Sequence, residues 1–242
     1  MNVQLETGSG ATKRGGGPQT SQDFEDFIYL ISHDVRNSVR ALIEVPQWIA
    51  EDLAESGHRI EGALAENIDL MNTHTRRLDR MLNDLLIYSR IGRMQDVRDV
   101  DLAGALETVV EDARLPPGFR LVHDLRQSDL RVGEHDIMTL LTALVANSVR
   151  HRDRETGEIR VESWQDGTET VLTYRDDGPG IPLEFRSRVF GAMTTLKSRD
   201  EVEGSGMGLA HVKKIVTTYG GTLRWLDLPG GRGVGFEMRF PR

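Results

Sequence analysis

The chain has 242 residues, of which 38% are hydrophobic and 28% are charged. This composition is typical of a folded protein of one large or two small domains, and it excludes a disordered chain. Acidic residues outnumber basic ones, 38 to 30, which gives a formal net charge of −8 and argues against nucleic acid as the main partner. The chain has no cysteine, which excludes disulfides, cysteine-ligated metals and thiol nucleophiles.

The N-terminal segment is expected to be unstructured. Residues 1–20 are rich in glycine, serine and threonine without apolar periodicity, so they predict a disordered tail or linker. No apolar run approaches the roughly 20 residues that cross a bilayer, and no basic-then-apolar signal follows Met1. We therefore expect a cytoplasmic protein without a transmembrane segment. No sensor domain is recognisable, so a sensor is expected on a separate protein or as a domain missing from this sequence.

The next segment predicts a helical hairpin. Apolar residues recur at three- and four-residue steps, which indicates one helix that starts at residue 21 and is stopped by Gly57, and another over residues 60–86. A turn over residues 56–59 joins them, and Pro46 is expected to bend the first helix. One hairpin leaves an apolar face open, so we predict that residues 21–95 pair with a second copy into a four-helix bundle, making a homodimer.

The remaining residues, 97–242, mix helices and strands. The turn sequence at residues 165–167 predicts a hairpin between the two central strands. Strands covered by helices on one face predict an α+β sandwich. The predicted helices are residues 101–114, 134–150 and 206–219, and the predicted strands are residues 119–125, 158–164, 169–175, 222–226 and 235–240.

The first helix carries a group of polar residues that could do chemistry. A neutral imidazole such as that of His33 accepts a phosphoryl group when a neighbouring acid, here Asp34, takes its proton. Asn37 lies one helical turn from His33, where it could orient a water molecule. Taken alone, the same pattern is more typical of an exposed polar helix face.

Two glycine-containing motifs could bind a nucleotide. In residues 176–181, Asp-Asp-Gly-Pro-Gly-Ile, the Asp176 carboxylate can accept a hydrogen bond from an exocyclic amine, although Asp-Gly and Pro-Gly also mark ordinary turns. Residues 204–209, Gly-Ser-Gly-Met-Gly-Leu, open a helix whose free N–H groups could bind phosphates. Lys197 precedes that motif and could reach the same phosphates. Asn147, on an amphipathic helix, could hold one corner of a magnesium ion that keeps most of its waters.

In this order and spacing, the four motifs resemble those of the sensor histidine kinases of two-component systems, over about residues 22–242. The hairpin is similar to their dimerisation and phosphoacceptor domain. The remainder is similar to the GHKL (Bergerat) ATP-binding domain shared with gyrase, the Hsp90 chaperones and MutL. Residues 195–209 are especially similar to phytochrome-like and PAS-linked members, and residues 84–90 to the usual end of the second hairpin helix.

The resemblance implies an ATP-dependent protein-histidine kinase in which His33 is phosphorylated with Asp34 as its acid–base partner. The phosphoryl group would pass to an aspartate of a response regulator receiver domain, and the Asp34-x-x-Asn37 spacing is similar to the phosphatase motif. The implied cofactors are ATP and Mg²⁺, with Asn147 holding the metal. The nucleotide contacts implied by the resemblance are Asn147, Arg150, His151, Asp176, Gly178, Gly180, Phe190, Thr195, Lys197, Gly204, Gly206, Met207, Gly208 and Leu209.

Three positions depart from the common pattern of these kinases. Ala143 stands where ATP-hydrolysing relatives place a glutamate base, so free ATPase activity is not expected. Asp177 replaces a common asparagine and adds negative charge near the site. Ser38 replaces a common proline, so the bend of the first helix should move to Pro46.

Two alternatives remain open at this stage. The first is a dimeric phosphotransfer or scaffold protein whose nucleotide domain is degenerate, against which the intact nucleotide motifs argue. The second is a serine kinase of the anti-sigma type, which shares the ATP-binding domain but lacks the helical hairpin and its histidine motif.

Overall fold

The computed structural model describes residues 18–196 and 204–242. It contains a helical hairpin followed by an α+β domain, as predicted. The helices are α1 (Pro18–Glu55), α2 (Ala63–Arg90), α3 (Leu102–Ala113), α4 (Glu134–Arg150) and α5 (Gly208–Thr218). The strands are β1 (Val97–Asp101), β2 (Phe119–Leu125), β3 (Asp129–Gly133), β4 (Gly157–Asp166), β5 (Glu169–Asp176), β6 (Thr222–Trp225) and β7 (Gly235–Pro241).

The first helix is longer than predicted at its start and ends where predicted. It begins at Pro18, so residues 18–20, which were predicted to belong to a disordered tail, are helical. Its C-terminus is closed by Gly57, whose φ of +78° is the left-handed conformation that glycine adopts without steric cost. The N–H of His58 then donates to the carbonyl oxygen of Leu53 at 2.9 Å, which satisfies one of the last helical carbonyls.

The two hairpin helices run antiparallel with a defined register. The α1 helix continues through Pro46, and the connection to α2 is longer than predicted because α2 begins at Ala63 rather than residue 60. Arg36 donates to the side chain of Asn83, and the guanidinium of Arg90 lies 5.5 Å from the ring centroid of Tyr29. An ion pair between Arg93 and Asp26 continues this register to the end of the hairpin.

The α+β domain is built on a five-stranded sheet of order β2-β4-β5-β7-β6. Strands β2 and β4 are parallel and the other pairs are antiparallel, including the predicted β4–β5 hairpin. Helices α3, α4 and α5 contribute to one buried core with this sheet, because their apolar stripes face it. Its largest fully buried side chains include Leu140, Leu141, Leu144, Ile159, Leu172, Tyr174 and Phe236.

A second, two-stranded antiparallel sheet joins β1 and β3, and it was not predicted. Both strands have five residues, and within them only Val100, Leu130, Val132 and Gly133 are buried. The β1 sequence, Val-Arg-Asp-Val-Asp, does not alternate, and β3 has only two large apolar residues, so neither gives a clear strand signal.

The hairpin and the α+β domain touch through α2 and α5. The ring Nε2 of His211 lies 2.9 Å from the carbonyl oxygen of Asp84, and the Lys214 ammonium donates to the carbonyl oxygen of Tyr88 at 2.7 Å. The same ammonium lies 4.3 Å from the Tyr88 ring centroid, a cation–π contact. None of the helices within residues 18–196 and 204–242 is both long and apolar enough to span a membrane.

Candidate nucleotide-binding site

A cavity of 390 Å³ opens at the C-terminal end of β5, between α4 and α5. Eleven predicted nucleotide contacts line it: Asn147, Arg150, His151, Asp176, Gly178, Gly180, Thr195, Gly204, Gly206, Gly208 and Leu209. The walls also include the apolar side chains of Ala143, Ile181, Pro182, Phe185, Val189, Leu196 and Val234. A concave, mostly apolar pocket with a few converging polar groups is the usual form of a small-ligand site.

Asp176 supplies the buried acidic group of the cavity. It is the last residue of β5 and only 9% exposed, and three hydrogen-bond donors surround its carboxylate. Its Oδ1 accepts from the backbone N–H of Gly178 at 3.1 Å and of Val234 at 2.8 Å. Its Oδ2 accepts from the hydroxyl of Ser148 at 2.5 Å. The carboxylate is therefore held rigidly at the edge of the cavity.

Beside Asp176 lies a polar pair that sequence analysis missed, and one of the two, Ser148, itself lines the cavity. The Ser148 hydroxyl is 2.8 Å from the phenolic oxygen of Tyr174, which is 1% exposed. Burial raises the pKa of Tyr174 well above its usual value of 10, so the phenol is neutral and keeps its proton. One signal was available, because Tyr174 and Asp176 are two residues apart in a strand and so share a face.

The opposite end of the cavity is formed by the start of α5. This helix begins at Gly208, and its first N–H groups have no intrahelical acceptor. Gly206 has a φ of +78°, and a Cβ there would lie 2.6 Å from the carbonyl oxygen of Thr194. Only glycine allows the two segments to cross so closely. The result is a helix N-terminus open to a cavity, an arrangement that favours phosphate groups.

Three predicted contacts stand apart from the cavity lining. Phe190 packs against Trp225 and Phe236 with centroid distances of 5.6 and 5.7 Å, and it supports the domain core instead of lining the cavity. Met207 is fully buried, and its sulfur lies 3.3 Å from the backbone nitrogen of Met193. Neither Phe190 nor Met207 is among the residues that line the cavity, so their predicted contact with the nucleotide stays a prediction. Lys197 lies outside the described residues.

Asp177 is turned away from the cavity. Its Oδ1 accepts a hydrogen bond from the backbone N–H of Glu158, the second residue of β4, at 3.0 Å. The carboxylate of Asp177 therefore holds the start of β4 and does not add its charge to the cavity lining.

The hairpin motif lies on α1, outside the cavity. The backbone of His33 is helical, and the side chains of Asp34 and Asn37 are exposed. The contacts Arg36–Asn83 and Tyr29–Arg90 bracket His33, which places its backbone level with residues 84–89 of α2. The α+β domain contacts α2 at that same height.

The donor set fits a magnesium ion held jointly with a ligand. Among residues 18–196 and 204–242, no three His, Cys, Asp or Glu side chains are grouped closely enough to hold a metal. The Asn147 amide is in the cavity lining. Magnesium keeps several waters and is bound largely through substrate phosphates, so the Asn147 amide would be its protein ligand in this cavity.

Known proteins match both the α+β domain and most of the whole chain. Residues 133–242 match the family described as histidine kinase-, DNA gyrase B-, and HSP90-like ATPase. The methanogenesis regulatory histidine kinase FilI from Methanothrix harundinacea is 31% identical over 220 residues, 88% of this chain and 24% of the relative. Cyanobacterial phytochrome A from Nostoc sp. is 27% identical over 232 residues, 92% of this chain and 29% of the relative. The chain thus spans less than a third of the length of these two relatives.

Solved structures share the fold. Full-length ShkA, crystallised in complex with AMPPNP, matches with a TM-score of 0.65 at 20% identity, covering 90% of this chain and 46% of that chain. The histidine kinase AdeS of Acinetobacter baumannii matches with a TM-score of 0.56 at 18% identity, covering 84% of this chain and 96% of that chain. At these identities the likeness concerns the fold alone.

The sheet, the cavity and the matching family define residues 133–242 as an ATP-binding domain of the GHKL class. The kinase relatives align with about nine-tenths of the chain, which includes most of the helical hairpin before this domain. Over most of its length the chain is similar to sensor histidine kinases.

Proposed function

We propose that this protein binds ATP in the cavity between α4 and α5, transfers the γ-phosphoryl group to His33, and passes it to an aspartate of a response regulator. The observation that carries the proposal is the buried Asp176 carboxylate, facing the start of α5 across one cavity. A hydrogen-bond acceptor for adenine at one end and a helix N-terminus for phosphates at the other suit an adenine nucleotide.

The adenine end depends on Asp176. Its carboxylate accepts the exocyclic amine of the base, while the apolar residues Ile181 and Val189 of the lining cover the ring. At the phosphate end, the free N–H groups at the start of α5 stabilise negative charge, and Gly204, Gly206 and Gly208 let the backbone approach the phosphates. Asn147 would hold Mg²⁺, which when bound spreads the charge of the β- and γ-phosphates.

Phosphoryl transfer is an in-line displacement. A ring nitrogen of His33 attacks the γ-phosphorus, and the bond from that phosphorus to the bridging oxygen of ADP breaks as the nitrogen–phosphorus bond forms. Asp34 accepts the proton that the imidazole releases. The contacts of His211 and Lys214 with α2 support this step, because they join the ATP-binding domain to the hairpin at the height of His33.

The phosphoryl group then moves from His33 to a receiver-domain aspartate on a separate response regulator. The exposed side chain of Asn37 lies one turn from His33 on α1. It is suited to orienting a water molecule that hydrolyses the phosphorylated regulator. Names of relatives such as the adaptive-response sensory kinase SasA and the sensor histidine kinase GlrK support a signalling role.

A homodimer is part of this proposal. Large apolar residues remain exposed along each helix at seven-residue spacing, which is the repeat of coiled-coil and four-helix-bundle interfaces. Burying these two stripes against the same stripes of a second copy completes a four-helix bundle. The stripe residues are Val35, Leu42 and Ile49 on α1 and Leu64, Met71 and Leu78 on α2, each between 37% and 49% exposed.

The test is incubation with ATP labelled at the γ-phosphate and magnesium. We expect acid-labile, base-stable label on the chain, as a phosphoramidate gives, and complete loss of label in His33→Gln. His74→Gln, which changes an exposed histidine of α2, is the matched control and should keep full label. Label retained by His33→Gln would contradict the assignment. Failure of the unaltered chain to bind ATP would favour a scaffold with a degenerate nucleotide domain, and acid-stable label would favour a serine kinase.

The proposed phosphatase activity has its own variant. Asn37→Ala should keep the label on His33 while the phosphorylated response regulator loses its phosphate more slowly. Equal loss of both activities would mean that Asn37 supports docking of the regulator instead.

A further inference from the structure

The hydrogen bonds around Asp176 leave one specific position open. A carboxylate offers about four lone-pair sites, two on each oxygen. Both sites on Oδ1 are taken by the backbone N–H groups of Gly178 and Val234. One site on Oδ2 is taken by Ser148. The remaining site is therefore on Oδ2, beside the Ser148 hydroxyl.

The direction of the hydrogen bonds behind this oxygen is fixed. An ionised carboxylate only accepts, so the Ser148 hydroxyl donates its single proton to Asp176. The contact between Ser148 and Tyr174 at 2.8 Å then requires the phenol to donate to the serine oxygen. Burial raises the pKa of Tyr174, so this donor keeps its proton at neutral pH. The relay runs from Tyr174 through Ser148 to Asp176.

We propose that Ser148 and Tyr174 are positioning residues that set the purine specificity of the site. They hold the open lone pair of Asp176 Oδ2 toward the cavity, where it accepts the 6-amino group of adenine and repels the 6-oxo group of guanine. This inference rests on the proposed function, because it assumes that the cavity binds a purine nucleotide. Discrimination by buried, oriented polar groups is large because a mismatched base leaves one of them unpaired.

The strand that carries Tyr174 also carries a matched control. Thr173, the preceding residue, is 1% exposed, points to the other face of the sheet and has no hydrogen-bond partner for its hydroxyl among the described residues. Thr173→Val therefore removes an equally buried hydroxyl without touching the relay.

The experiment measures dissociation constants of the full chain for ATP and for purine riboside 5′-triphosphate, which lacks the 6-amino group, and for GTP. Ser148→Ala should weaken ATP binding about tenfold, the cost of one hydrogen bond to a charged group, and should change the affinity for the analogue less than twofold. The preference for ATP over GTP should fall by the same tenfold. Tyr174→Phe should act in the same direction, by about threefold, and Thr173→Val should change nothing.

The outcomes separate this inference from the proposed function. If the unaltered chain binds ATP and Ser148→Ala binds it equally well, the positioning role is wrong while the nucleotide site stands. Equal weakening of ATP and of the analogue would show that Ser148 only supports the fold, which also overturns the proposal. If the unaltered chain binds no purine nucleotide, both proposals fail. Should Ser148→Ala not fold, Tyr174→Phe, which keeps the ring, tests the positioning role by the same ratio of the dissociation constants for the analogue and for ATP.

Discussion

The hairpin and the ATP-binding domain bury their apolar side chains in different ways. In the domain, α4 and α5 lie against the sheet, and residues such as Leu144 and Ile215 are 0–1% exposed. In the hairpin, Leu82 and Leu86 are buried, whereas Leu70 and Trp48 are 56% and 52% exposed. The domain encloses a complete core within one chain, and the hairpin does not.

This difference indicates where each part obtains its stability. Two helices bury only the stripe between them, so most of the free energy that orders a long hairpin must come from further packing. We expect the ATP-binding domain to be stable by itself and the hairpin to depend on a second copy.

The largest effect is expected at the exposed stripe of α2. Leu78→Asp places one unpaired charge per chain, two per dimer, in the proposed four-helix bundle, which should cost about 4 kcal/mol or more and raise the dimer dissociation constant roughly a thousandfold. Sedimentation equilibrium measures this directly. Leu70→Asp, at a more exposed leucine off the seven-residue stripe, is the control and should remain dimeric. A dimer unaffected by Leu78→Asp would place the interface elsewhere.

Truncating a leucine to alanine should destabilise the chain strongly in the core of the domain and only slightly on the exposed surface of the hairpin. Leu144 on α4 is 1% exposed within the core, so Leu144→Ala should lower the free energy of unfolding by about 3 kcal/mol. Leu70→Ala removes the same atoms from an exposed position and should change it by less than about 0.5 kcal/mol. Urea unfolding followed by circular dichroism gives both values, and similar losses in the two variants would contradict the contrast.

Nucleotide binding should depend on the domain alone. Asp176→Asn turns an amide N–H₂ toward the amine of adenine in place of an acceptor, which should weaken ATP binding about thirtyfold, or about 2 kcal/mol. Asp177→Asn is the neighbouring control, because an asparagine oxygen can still accept from Glu158. Calorimetric titration with ATP and magnesium should show near-normal affinity for Asp177→Asn, and an unchanged affinity for Asp176→Asn would place the nucleotide elsewhere.

Sequence analysis predicted the parts of this molecule whose signals are local. The helices of the hairpin follow from long apolar periodicity, and the cavity residues follow from motifs such as residues 176–181 and 204–209. The boundaries shifted by a few residues where caps and turns decide them, as at Pro18 and Ala63.

The features that were missed depend on contacts between distant residues. Ser148 and Tyr174 are 26 residues apart, and only the packing of α4 on β5 brings their hydroxyls to 2.8 Å. The motif that contains Phe190 predicts a place in the nucleotide site, but the surroundings of its ring are set by Trp225 and Phe236, which come much later in the chain. No spacing rule carries that information.

The contact between the two parts is also expected to respond to pH, with the smallest effect. His211 is 4% exposed on α5, and its ring meets the carbonyl of Asp84, the ring of Tyr88 and the charge of Lys214. Burial lowers the pKa of His211 below its usual 6.5, more than the contacts with Asp84 raise it. The neutral ring is therefore the form that fits between α5 and α2.

The sign of the pH dependence follows from this shift. The unfolded chain takes up a proton on this histidine as the pH falls below about 6.5, whereas the folded chain resists it, so stability is complete above pH 6.5 and declines as the pH falls toward the lowered pKa. His211→Gln should remove that part of the decline in urea midpoint between pH 8 and pH 5.5. His135→Gln, at an exposed histidine of α4, should retain it. If the urea midpoints of the unaltered chain and of His211→Gln change identically with pH, protonation of this ring does not affect the contact between α2 and α5.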